Sequence, residues 1–195
     1  VCTVDVRPVG PMGTSVGFAG FNAWFHSLTG VHMSLYTVTD WLGLVPIAVC
    51  LAFGAVGLVQ LIRRRSVRKV DRDVLLLGGY CIIVITCYIA FEMIPINFRP
   101  ILIDGRLEAS YPSSTTLLVL CIMPTLTLLL SRRMKNAATV KIIGASVSLF
   151  SCAMVIGRLI SGVHWFTDIF GGALLGGTLF SLYMAAVLMN DERTR

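Results

Sequence analysis

Long apolar runs separated by short polar clusters dominate the chain. Trp41 to Ile62 is 22 residues without a charge. As a helix rising about 1.5 Å per residue it would reach about 33 Å, enough for the roughly 30 Å hydrocarbon core of a bilayer. Four further runs read the same way. Val74 to Pro95 carries one acid, Glu92, near its end. Thr115 to Ser131 contains Pro124, an expected kink. Ile142 to Gly157 is short but extendable on either side, and Phe166 to Met189 has Asp168 in its first turn. Ahead of them, residues 1–15 are rich in Gly and Pro and read as loop. Phe18, Phe21, Phe25 and Leu28 then recur at helical spacing beside Trp24, the pattern of a helix lying in the membrane interface. The expected fold is all-α, a polytopic transmembrane helical bundle of five spans plus an N-terminal interfacial helix. Its expected divisions are an interfacial segment over 1–40, a transmembrane domain over 41–189 and a short tail over 190–195. Gly172 and Gly176 form a GxxxG pair, which permits close helix contact. The chain begins at Val1 rather than Met, which leaves room for a preceding piece such as another span.

Composition supports lipid as the solvent. Only 13% of the 195 residues are charged, whereas a soluble domain is usually near a quarter charged. The net charge of +6 would suit nucleic acid if the basic residues formed one patch. They sit instead in clusters between the apolar runs, so no nucleic-acid partner is expected. Residues 63–73 and 132–141, with Arg193 and Arg195, hold twelve of the 16 Lys and Arg. The positive-inside rule assigns that face to the cytoplasm and the segments 1–40, 96–114 and 158–165 to the opposite side. A multi-pass protein of the cell membrane is the expected setting. The six Cys fall mostly inside apolar runs and behave there as small hydrophobes, not as a disulfide framework or a metal site.

Three polar segments then lie at the outer ends of the spans: Asn97-Phe98-Arg99-Pro100, Tyr111 to Thr116, and Gly157 to Asp168. Taken singly, Arg99 reads as a snorkelling side chain and Ser113 to Thr116 as a helix N-cap. Glu92 reads as a partner for Arg99 or Arg158. His26, His32 and Trp165 read as interfacial, and Asp104, Arg106 and Glu108 as solvated or touching a lipid headgroup. Together the segments say more. If the fifth helix begins near His164, His164 and Asp168 are i and i+4 on one face. A carboxylate there can hold the proton of one imidazole nitrogen and leave the other as a nucleophile. Arg99 and Arg158 offer guanidinium forks suited to phosphate oxygens. The helix start at Ser113, Ser114 and Thr115 offers backbone N–H groups for an anion. The set points to phosphoryl transfer through a phosphohistidine.

These residues resemble the type 2 phosphatidic acid phosphatase superfamily, whose pattern is KxxxxxxRP, PSGH and SRxxxxxHxxxD. Arg99-Pro100 match the first motif, Pro112-Ser113 the second, and Arg158, His164 and Asp168 the third at full spacing. The resemblance covers about residues 41–185. It implies a membrane lipid phosphatase with His164 as nucleophile, Asp168 as its orienter and no metal or cofactor. The substrate would be a phosphorylated lipid, with the site at the outer membrane surface. Four positions depart from the pattern. Glu92 stands where the family has Lys, Ser114 where it has Gly, Thr115 where it has the His that protonates the leaving group, and Gly157 where it has Ser. Glu92 is therefore a possible modulator of the site. Loss of the leaving-group acid favours diphosphates such as a polyprenyl diphosphate over monoesters. The alternative is a relative that binds phosphorylated lipid without turnover. A transporter fits poorly, because the sequence has no matched halves with broken helices. Oligomeric state is left open by the sequence.

Overall fold

The computed structural model describes residues 1–192; Arg193 and Arg195 lie outside the described residues. Among the described residues there are seven α-helices: α1 (Ala19–Thr29), α2 (Met33–Leu42), α3 (Leu44–Arg64), α4 (Arg72–Met93), α5 (Ser114–Arg133), α6 (Ala137–Ile160) and α7 (Phe166–Glu192). The last four are each long and apolar enough to cross a bilayer, and α2 with α3 supplies a fifth such stretch over Met33–Arg64. The bundle is all-helical with five candidate spans, as the hydropathy pattern predicts. The first span starts earlier than Trp41, so the expected boundary at residues 40 and 41 falls inside α2.

Local chemistry sets several helix ends. Asn136 caps α6, its Oδ1 accepting from the amides of Ala138 and Thr139, which satisfies two of the donors a helix start leaves free. At the start of α7, Asp168 accepts from the Trp165 amide at 2.9 Å. That is the back-reaching half of a capping box, with Trp165 at the cap and Asp168 in the first turn. Pro124 lies inside α5, which continues from Ser114 to Arg133 as one element.

Helix α5 is the axis of the bundle and touches α3, α4, α6 and α7. Leu117, Cys121, Ile122 and Leu129 of α5 pack with Tyr80 and Val84 of α4 and Tyr183 of α7. Tyr80 stacks on Tyr183 at 4.6 Å between ring centres and donates its hydroxyl to the Cys121 carbonyl at 3.1 Å. Gly172 lies against Ser113 and Thr116, and Gly176 against Leu117 and Leu120. The GxxxG pair therefore does bring α7 close to α5. At the end of the bundle away from α1, Arg132 of α5 forks onto Asp191 of α7 at 2.6 and 3.1 Å and reaches Asp73 of α4. Outward faces of α3, α4, α6 and α7 carry exposed Leu, Ile and Met, as a lipid-facing surface requires.

The N-terminal segment is fastened to the opposite end. Asn22 of α1 is fully buried. It donates to Thr167 Oγ1 at 3.0 Å and accepts from the Thr167 amide at 3.2 Å. His26 Nε2 lies 3.0 Å from the Gly162 carbonyl, so this His ties α1 to the turn between α6 and α7 rather than facing the interface. Gly162 has φ +68°, and a Cβ there would also run into the Gly30 carbonyl; only glycine fits.

Candidate active site

Four pieces of chain meet at that end: α2, the connection from α4 to α5, the start of α5, and the turn from α6 to α7. The connection carries a feature the sequence reading missed. Residues 97–110 form a short antiparallel ribbon, with Phe98 bridged to Ala109 and Ile103 to Arg106. Asp104 and Gly105 turn it, both at positive φ. An Asp-Gly pair is the strongest short-range hairpin signal, so this one was available in the sequence. The ribbon holds Asn97 beside Ser110, whose amide donates to the Asn97 carbonyl at 3.1 Å.

Asp168 is fully buried. Asn97 Nδ2 donates to its Oδ1 at 2.9 Å, and the Ser110 hydroxyl donates to Oδ2. His164 Nδ1 lies 3.0 Å from Ser110 Oγ and 3.9 Å from Asp168 Oδ2. The expected direct hydrogen bond from His164 to Asp168 is therefore replaced by a relay. With the Ser110 hydroxyl donating to Asp168 Oδ2, Ser110 Oγ is left to accept from a protonated His164 Nδ1, the tautomer in which Nε2 keeps its lone pair. The reason is geometric. His164 precedes the helix instead of starting it, so the two side chains do not stack at helical i, i+4 spacing.

His164 Nε2 is buried without a hydrogen-bond partner. Burial, first, and the charges of Arg99 and Arg158 hold the imidazole well below its ordinary pKa, so it is neutral at physiological pH.

Both arginines are buried, Arg158 at 2% exposure and Arg99 at 9%. Arg99 is thus no snorkelling surface group. Its Nε lies 3.1 Å from Glu108 Oε2, while its Nη1 is buried and unpartnered. Arg158 Nη2 donates to Asp40 Oδ1 at 2.9 Å and to Thr115 Oγ1 at 2.6 Å; its Nε and Nη1 have no partner. The Tyr36 ring lies under both guanidinium groups, 5.6 Å from Arg99 Cζ and 4.9 Å from Arg158 Cζ. Tyr36 and Asp40 sit at i and i+4 on α2, one face of one helix. The sequence reading named neither. Their signal is an acid and an aromatic at helical spacing, just ahead of the uncharged run that begins at Trp41.

Ser113 caps the start of α5, but its amide donates to the Asp168 carbonyl at 3.0 Å. The sequence leads one to expect a free anion donor at this amide, and the contact with Asp168 takes it instead. Its buried hydroxyl has no partner. Ser114 and Thr115 follow as the first residues of α5, where amides lack carbonyls within their own helix. Glu92 is exposed at the end of α4 and shares a cleft with Arg99 and Glu108. It forms no ion pair among the described residues, so the expected pairing with Arg99 or Arg158 is taken by Glu108 and Asp40. Trp165, expected at the interface, is 3% exposed and donates its indole N–H to the Phe98 carbonyl at 2.8 Å. Asp104 and Arg106 are exposed.

A family model, the PAP2 superfamily, matches residues 94–192. The chain belongs to the PAP2 superfamily. The match takes in the ribbon, α5, α6 and α7, and so every buried polar residue of the site; Tyr36 and Asp40 of α2 lie outside it. The crystal structure of a transmembrane PAP2 type phosphatidylglycerolphosphate phosphatase from Bacillus subtilis is similar at 17% identity and a TM-score of 0.49, over 90% of this chain and 94% of that one. Comparison with curated proteins finds no match. As a PAP2 superfamily chain with five apolar helices, the protein is a multi-pass membrane protein of lipid phosphatase fold. Its departure at Gly157 has a local cause: a Cβ at that position would come within 2.7 Å of the Thr39 methyl. A serine there would require the Thr39 side chain of α2 to shift.

Proposed function

We propose that this PAP2 chain is a lipid phosphatase that hydrolyses phosphorylated lipids through a phosphohistidine at His164, with diphosphates such as polyprenyl diphosphate preferred. The observation that carries the reading is the buried, unpartnered His164 Nε2, held neutral and backed by Ser110 and Asp168, beside unpartnered donors of Arg99 and Arg158. A native protein seldom buries so many polar atoms without partners, and a phosphoryl group would engage all of them. In this reading the His164 Nε2 lone pair attacks the terminal phosphorus. The bond to the bridging oxygen breaks, and its electron pair leaves with the lipid phosphate. Water then attacks the phosphohistidine, the P–N bond breaks, and the imidazole is restored. Arg99 and Arg158 bear the charge on the equatorial oxygens, aided by the amides of Ser114 and Thr115 at the start of α5 and by the unpartnered Ser113 hydroxyl. Asp168, acting through Ser110, holds the tautomer.

The site faces away from the cytoplasm of the cell membrane in this reading, since the basic connectors 63–73 and 132–141 lie at the other ends of the spans. Cysteines introduced at positions 68 and 106 of a Cys-free background test it. An impermeant thiol reagent should label position 106 and not 68 in intact cells; the reverse pattern overturns the orientation.

A second reading, a lipid-phosphate binder without turnover, is favoured by Thr115 and Glu92, which replace the family's His and Lys. Phosphate release from a panel of lipid mono- and diphosphates, with His164→Ala as control, separates the two. Release that depends on His164 supports the phosphatase. Tight binding with no release supports the binder.

A further inference from the structure

Beside Thr115 lies a cavity of about 430 Å³ between α3, α4 and α5, open along one side where Leu51, Ile85 and Ile89 are exposed. Asp40, Ser114 and Thr115 are at one end, and Cys50, Ile85 and Ile122 are among the apolar residues further in. Asp40 and Thr115 also bind Arg158 Nη2, so this end of the cavity abuts the arginine cluster. A second cavity of about 470 Å³ lies further along the seam between α3 and α4. It shares Cys50 with the first and is also lined by Phe53, Cys81 and Ile82. Where the two meet, Cys50 Sγ and Cys81 Sγ are 3.2 Å apart. Thr115 to Ile122 covers about 10 Å of helix, so the first cavity reaches only about a third of the way through a hydrocarbon core of roughly 30 Å.

We propose that the first cavity receives the hydrocarbon chain of the lipid phosphate and that the Cys50–Cys81 contact is its floor, which makes these two residues determinants of chain length. The inference rests on the reading of the His164 site as a lipid-phosphate site. A short chain fills the cavity with its phosphate at the arginines. A longer chain must turn out between α3 and α4 into the lipid or part the two thiols, and either forfeits contacts. One methylene in a fitted apolar pocket is worth about tenfold or more in discrimination. Within the diphosphates, chain length then grades turnover: a short prenyl tail fits wholly, and a longer polyprenyl tail is still accepted with its end in the lipid but is turned over more slowly.

The test uses the purified full chain in detergent and alkyl phosphates that carry a diazirine at the tail end, one matched to the first cavity and one long enough to reach the second. The short probe should label Cys50, Ile85 or Ile122. The long probe should label the cavities about tenfold less in the unaltered protein, and should label Phe53 or Ile82 once Cys50→Ala and Cys81→Ala are combined. Ile85→Trp, which fills the first cavity and leaves the thiols in place, should remove labelling by both probes. Equal labelling of Phe53 by the long probe in the unaltered protein overturns the floor. Labelling confined to the outer helix faces overturns the tail site. Phosphate release from the same chain series runs in parallel. Length-dependent labelling without release removes the phosphatase reading and leaves the tail site standing; release with length-independent labelling does the reverse.

Discussion

His164 Nδ1 and Asp168 Oδ2 stand 3.9 Å apart, and the Ser110 hydroxyl bridges them. Ser110 is a positioning residue in this account, because it acts through His164. Ser110→Ala should lower kcat by about 10²-fold, the low end of what a misdirected acid–base partner costs, with little change in KM. Ser110→Thr should recover most of the loss. Steady-state kinetics on a diphosphate lipid check this; an unchanged kcat in Ser110→Ala would remove Ser110 from the relay.

The pH dependence follows from how His164 is held. Its pKa is depressed by burial and by Arg99 and Arg158, so the acid limb of kcat/KM that belongs to the nucleophile should lie below the usual value of about 6.5. Arg99→Gln removes one of the depressing charges, and the limb should move up toward that value. The ionisation of the substrate is common to both proteins, so the difference between them isolates His164. The same shift makes stability fall in acid. Below about pH 6.5 the unfolded chain takes up a proton that folded His164 refuses, and stability is lost as pH falls from there toward the folded pKa. An acid limb that stays put in Arg99→Gln contradicts this.

Asp40 occupies the Arg158 nitrogen that a phosphate oxygen would otherwise take. Asp40→Asn should therefore lower KM, with kcat nearly unchanged. Asp40 is more than half exposed, so the gain is limited to that of a screened ion pair, at most about fivefold. A rise in KM would mean that Asp40 orients Arg158 instead of competing for it.

The sequence made the bundle legible because a lipid solvent leaves a plain record: each span is a run of apolar residues bounded by charge. Arg158, His164 and Asp168 were legible because one stretch of chain carries them at fixed spacing. Ser110 and Asn97 were not singled out for any role, since their partner Asp168 is 58 and 71 residues away in the chain. No local period records such a contact. Asp104-Gly105 did record it indirectly, by folding the ribbon that brings both residues to the carboxylate. Tyr36 and Asp40 were assigned to the segment ahead of the first span, and only the early start of α2 shows them to face Arg158.

In the proposed phosphatase reading, Thr115 would leave no good acid on the leaving-group side. Its hydroxyl accepts from Arg158 and cannot donate a proton as an acid at neutral pH. A lipid monophosphate must expel an alkoxide, whereas a diphosphate expels a phosphate whose relevant pKa is near 6. General acid catalysis is worth about 10²–10⁴-fold, so the kcat/KM ratio of matched diphosphate to monophosphate should be large. Thr115→His, alone or with Glu92→Lys, should shrink it by raising monoester hydrolysis. A ratio near one that Thr115→His leaves unchanged would show that another group supplies the proton.

The central claim is that the phosphoryl group passes through His164. Turnover of a prenyl diphosphate labelled in its terminal phosphate, quenched in alkali and digested, tests it most directly. Phosphohistidine survives alkali and is lost in acid, and mass spectrometry of the peptide places the label. The account predicts an acid-labile phosphoryl group on His164 and none in His164→Ala, which should also release no phosphate. Turnover that persists in His164→Ala, or a label carried by another residue, would contradict it.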